Sequence, residues 1–156
     1  DPLLALFVPI FAVFPHPLTL VISQLFIVVF SSFLIYAIAN LELKSKFSAF
    51  MFSLAYIFHP SLGFINGTMG FHAVTAAIPF FLGAFYLFEK MYKENSFTKG
   101  KMILFWVLLV LTMGGKEQIP LYVFMWGLFV LFFRTPEAGR FKFSKDWFKN
   151  FFKGVF

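Results

Sequence analysis

Thr112-Met113-Gly114-Gly115-Lys116-Glu117-Gln118-Ile119-Pro120 interrupts a run over residues 102–133 that is otherwise free of charge. As one helix that run would be about 48 Å long, too long for a single tilted crossing of an apolar layer about 30 Å thick. A single crossing would also leave the basic segments 89–101 and 134–153 on opposite sides of the membrane, whereas Lys and Arg favour the cytoplasmic side. Two crossings, near 102–115 and 118–133, that turn at Gly114-Gly115 remove both conflicts. Each is then only about 21–24 Å long, so the turn is expected to sink into a wet recess. An ionisable group at membrane depth costs about 2.5–3.5 kcal/mol on insertion scales and usually faces a cavity or a partner. Lys116 and Glu117 are therefore expected to line that recess, and the alternative is an internal ion pair that closes the turn.

Composition points the same way. The chain is 60% hydrophobic and 13% charged, against roughly 25% charged in soluble domains, and its mean hydropathy is +0.85. Charges fall in blocks and leave residues 2–41 and 47–88 uncharged, each about twice the ~20 residues needed to cross a bilayer once. With no Cys there is no thiolate or disulfide chemistry. The net charge of +6 sits beside apolar segments, which reads as membrane orientation and lipid contact, not nucleic-acid binding.

Working outward, the sequence predicts an all-α polytopic membrane protein, a single membrane domain over residues 1–156. Residues 3–14 are too short to span and contain Pro9, so a re-entrant or interfacial helix is expected, ended by Pro15-His16-Pro17. Spans are expected near 18–41, 47–65 and 71–88, the last kinked at Pro79. With 102–115 and 118–133 these make about five. Gln24, Ser31 and Ser32 are read as hydrogen-bonding groups between helices. Residues 140–156 place Lys142, Lys145, Lys149 and Lys153 opposite Trp147, Phe148, Phe151 and Phe152, the pattern of an interfacial amphipathic helix. The chain opens at Asp1 directly into apolar sequence, without a signal-peptide pattern. It reads as a segment of a longer protein or a processed product.

The positive-inside rule puts 42–46, 89–101 and 134–153 in the cytoplasm of a cell-membrane protein. The opposite face then collects Asp1, all three histidines (His16, His59, His72) and Lys116-Glu117. Lys116 could hold an anion as a point charge, Glu117 could act as base or acceptor, and His72 could act as acid, base or ligand. His59 and His16, each beside proline, also fit ordinary turn chemistry. Phosphate-loop, Gly-x-Ser-x-Gly and His-x-x-x-His motifs are absent, so soluble hydrolase and nucleotide-binding readings lack support.

Asp1-Pro2-Leu3-Leu4, Val8-Pro9-Ile10-Phe11, Phe14-Pro15, Phe71-His72 with Pro79, and Lys116-Glu117 together resemble a family of predicted multi-spanning membrane proteins known as domain of unknown function 2079. That family is in turn distantly similar to C-type glycosyltransferases, which use polyprenyl-phosphate sugars. The resemblance implies catalytic roles for His72 and Glu117, and binding of a lipid-linked phosphosugar by Lys116; His59 and Asp1, on the same face, are the further candidates for substrate binding. It allows a divalent metal as cofactor, although no metal ligand set is assigned. Gln118 departs from the acidic residue usual after Lys-Glu. The acid that such enzymes carry in their first external loop is expected outside this chain, with Asp1 its remnant. A structural or assembly subunit with other subunits as partners, and a transporter component, are the competing readings.

Overall fold

The computed structural model describes residues 2–63 and 71–130. These comprise a 3₁₀ helix Pro2–Phe7, α1 (Val8–Val13), α2 (Pro17–Leu43), α3 (Lys46–Ile57), a 3₁₀ helix Ala73–Ala76, α4 (Ala77–Glu94), α5 (Lys99–Met113) and α6 (Ile119–Phe129). No strand occurs among them. The chain divides into two compact units, Asp1–Pro120 and Leu121–Phe156. Of the second, residues 121–130 are described, and they are helical. Asp1, residues 64–70 and residues 131–156, with the expected amphipathic helix 140–156, lie outside the described residues.

Proline sets where the helices begin. Pro9 and Pro17 occupy the first two positions of α1 and α2, and Pro120 is the second residue of α6, where a missing N–H is no loss. Pro79 is the third residue of α4. It cannot donate to the Thr75 carbonyl, and the turn ahead of it is 3₁₀. Pro79 thus marks the beginning of α4, not a kink within it as the sequence led us to expect.

In the first unit α2 packs on α3 and on α4, and α4 packs on α5. Lys44, in the left-handed region at φ 51°, and Ser45, whose Oγ accepts from the Ser48 N–H at 3.3 Å, join α2 and α3 in a two-residue turn. The polar segment 89–101, expected as a loop, is mostly helix. α4 continues to Glu94, Asn95 stops it at φ 46°, and α5 resumes at Lys99. The physical reason is burial: Glu89 and Met91 are 2% and 1% exposed, so this helical turn belongs to the packed bundle.

Two contacts define the relation of α2 and α4. Near the start of both, Gln24 Oε1 accepts the His72 N–H at 2.5 Å and the Thr75 hydroxyl at 3.4 Å. Near the end of both, Lys93 Nζ lies 2.9 Å from Glu42 and donates to the Leu41 carbonyl at 2.8 Å. The two helices therefore run parallel. The turns at His16, His59, His72 and Gly114 share one end of the bundle, and Lys44, Lys46, Lys93 and Lys99 share the other.

The distribution of side chains is inverted relative to a water-soluble protein. On α2 the buried residues include Gln24, Ser31 and Ser32, whereas Phe26 and Phe33 are 73% and 66% exposed. Ser31 and Ser32 donate back to the Ile27 and Val29 carbonyls, and Ser53 of α3 donates to the Ser32 carbonyl at 2.8 Å. Small and polar groups inside with large apolar groups outside is the arrangement expected when lipid is the solvent. Two helices, Pro17–Leu43 and Val74–Glu94, are long and apolar enough to cross a membrane. The 12, 15 and 11 residues of α3, α5 and α6 reach only about 16–22 Å, so five full crossings do not follow from these lengths.

The two anchors differ in strength. Gln24→Leu strands a partly buried N–H and should destabilise the protein by about 1–2 kcal/mol. Lys93→Met breaks a bridge whose side chains are 31% and 36% exposed and should cost at most about 1 kcal/mol. Thermal melts in detergent should rank the two variants in that order.

Candidate functional site

The turn between α5 and α6 is built on close approach. Gly114 accepts from the Leu3 N–H through its carbonyl at 3.1 Å, and a Cβ at this position would lie 3.7 Å from both Leu3 and Pro2. At Gly115 a Cβ would come within 2.4 Å of the Ile119 side-chain tip and 3.2 Å of the Ala77 Cβ. Ile119 can rotate away, but Ala77 is fixed at the head of α4. Space therefore constrains Gly115, whereas the contacts to Leu3 and Pro2 at Gly114 are of ordinary length, and neither glycine has the positive φ that would demand glycine on conformational grounds. They let the N-terminal 3₁₀ helix, the head of α4 and the end of α5 meet at one point. Leu3 and Phe7 are buried there, and the Phe7 ring meets Phe71 edge-on at 5.0 Å.

Lys116 and Glu117 follow this pinned turn, and both are exposed. The Lys116 carbonyl accepts the Ile119 N–H at 2.9 Å and so starts α6. Among the described residues neither side chain makes an ion pair or hydrogen bond, in contrast to Lys93 with Glu42 and Lys101 with Glu94. The internal ion pair considered from the sequence is not formed.

His72 is half-buried and precedes the 3₁₀ helix Ala73–Ala76. Its N–H goes to Gln24, its carbonyl accepts from the Thr75 hydroxyl at 2.6 Å, and its Nε2 is buried without a hydrogen-bond partner among the described residues. His16 and His59 are exposed and cap helical turns. Nδ1 of His16 accepts from the Leu18 N–H at 3.2 Å, and Nδ1 of His59 accepts from the Ser61 N–H at 3.3 Å. Each imidazole therefore does local backbone work. Asp1 lies outside the described residues.

The structure brings His16, His59, His72, Lys116 and Glu117 to one end of the bundle. It does not join Lys116 or Glu117 to His72 by any hydrogen bond or ion pair among the described residues. Nor do three His, Asp or Glu side chains approach one another closely enough to hold a metal ion among those residues. The divalent cation that the resemblance allows thus finds no fitting donor set there.

Two polar residues carry more of the structure than their sequence context indicates. Gln24, 0% exposed, organises the His72–Thr75 segment as well as bridging two helices. Glu89 was invisible because it opens a run containing Lys90, Lys93 and Glu94, which reads as a solvated loop until the helix is known to continue.

The match to a family model decides the kinship. Residues 1–151 fit the predicted membrane protein family DUF2079. The chain belongs to this family. No curated protein and no solved structure matches it. For this DUF2079 chain the packing of Gly115 gives a direct test. Gly115→Ala should destabilise by about 1–3 kcal/mol through overpacking. Gly127→Ala, where a Cβ meets nothing within 4 Å, should be neutral or slightly stabilising in the same melt, since Ala is the better helix former.

Proposed function

We propose that this DUF2079 chain is the membrane part of a glycosyltransferase-like protein of the cell membrane. In this reading it binds a lipid-linked phosphosugar, or a similar anion, at the end of the bundle that carries Lys116. The basic segments 42–46, 89–101 and 134–153 face the cytoplasm, and the Lys116 end faces outward. The shorter helices complete about five crossings, aided by residues outside the described ones.

The observation that supports this most is the state of Lys116 and Glu117. A cation and a carboxylate stand side by side, exposed and unpartnered among the described residues, on a turn whose backbone is held by Leu3 and Ala77. Charges that hold the fold together would be paired, and these are not. A rigid backbone carrying free charges is suited to positioning a ligand. Lys116 would neutralise the phosphate as a point charge, and Glu117 would accept the proton of an acceptor hydroxyl. His72 would border the site, oriented through Gln24, and His59 and Asp1 are assigned to its margin. The lack of any bond from His72 to Lys116 or Glu117 favours the rival reading of an assembly subunit without catalysis.

Binding of polyprenyl phosphate to the purified protein separates the two. Lys116→Met should weaken it roughly 10–100-fold, the value of a hydrogen-bonded charge, with an unchanged melting temperature. Glu117→Gln should keep binding and abolish transfer. Full binding by Lys116→Met with a lowered melting temperature would assign the pair to structure.

A further inference from the structure

The opposite end of the bundle carries a second feature, which does not depend on the proposal above. Between α3 and α4, on the surface of α2, lies a cleft of about 400 Å³ lined by Ile35, Ala39, Phe52, Leu82 and Phe85 with Glu42 among its walls. Its volume is in the range of small-ligand sites. The apolar lining cannot select against bulk lipid by hydrophobicity, because the surrounding acyl chains are equally apolar. Any selectivity must come from the polar end.

That end is strongly cationic. Glu42 is matched by Lys93 at 2.9 Å, and Glu94 by Lys101 at 3.2 Å. Lys90 lies over the Tyr86 ring, and Lys44, Lys46 and Lys99 are exposed with no ion-pair partner among the described residues; of these, Lys44 and Lys46 adjoin the cleft. They stand one and three residues beyond Leu43, which itself lines the cleft. The positive φ at Lys44 and the Ser45 cap fix the backbone of this two-residue turn. An apolar slot that ends at two uncompensated cations matches an amphiphile with one acyl chain and an anionic head.

We propose that this cleft is a site for an anionic membrane phospholipid. One acyl chain lies along Ala39, Phe52 and Phe85, and the phosphate sits at Lys44 and Lys46. The site anchors the α2–α3 turn to anionic lipid, and it requires no residue of the Lys116 end.

Native mass spectrometry of the purified protein, titrated with phosphatidylglycerol or phosphatidylcholine of identical acyl chains, provides the test. Phosphatidylglycerol should be retained about 30-fold better at low salt, the effect of two lysines near a headgroup, and the preference should shrink with added salt. Lys44→Gln combined with Lys46→Gln should bring the two lipids to parity without changing the melting temperature, because both side chains are exposed. Glycerol phosphate, which has the head without the chain, should not displace the lipid. Equal retention of the two lipids by the native protein would overturn the proposal. So would an unchanged preference in the double variant, displacement by glycerol phosphate, or a dimer whose formation excludes both lipids.

Discussion

The hydrogen bond from the His72 N–H to Gln24 ties together parts of the chain 48 residues apart in sequence. It is made by a side chain with no solvent access, in a helix whose outward face is large and apolar, with Ile22, Leu25, Phe26, Val29, Phe30 and Phe33 exposed. In such surroundings the acceptor cannot be replaced by water, so the bond fixes where the 3₁₀ turn ahead of α4 begins. With the Lys93–Glu42 contact at the far end, it sets α2 and α4 side by side and parallel. Every other placement in the first unit follows from that pairing: α3 returns along α2, α5 returns along α4, and the Gly114-Gly115 turn arrives beside the head of α4.

The consequence is a molecule with two chemically different ends. One end gathers helix starts, the histidines and the exposed Lys116-Glu117 turn, strapped by the N-terminal 3₁₀ helix. The other gathers lysines, some matched by Glu42 and Glu94 and some not. A polar asymmetry of this kind orients a membrane protein. It also separates two groups of exposed charges without ion-pair partners among the described residues, Lys116-Glu117 at a pinned turn and Lys44 with Lys46 beside an apolar cleft.

Much of the architecture was legible in the residues. The uncharged run 18–41 has the length of a crossing, and Gly114-Gly115 has to turn because a helix through it would be too long. Family membership was legible in short motifs spread from Asp1 to Glu117, whose order carries more information than any one of them. What the sequence hid was burial. Glu89 looks solvated because Lys90 and Lys93 follow it, yet the helix carries it inside. Pro79 looks like a kink because it lies within an apolar run, and only the 3₁₀ turn before it shows that the α-helix begins there. The site was legible only as a list of residue types. The capping roles of His16 and His59 depend on local backbone geometry, and the absence of an ion pair between adjacent Lys116 and Glu117 depends on where each side chain points.

In the proposed orientation, the parallel pairing of α2 and α4 puts the Lys116 turn and the α4–α5 link on opposite faces of the membrane. The chain contains no cysteine, so single cysteines can be introduced at exposed positions without background. Gln118→Cys and Phe97→Cys, labelled in intact cells with a membrane-impermeant thiol reagent, test it most directly. The account predicts that Gln118→Cys reacts from outside and that Phe97→Cys reacts only after the membrane is opened. Equal reactivity of both positions in intact cells would contradict the opposite-face placement.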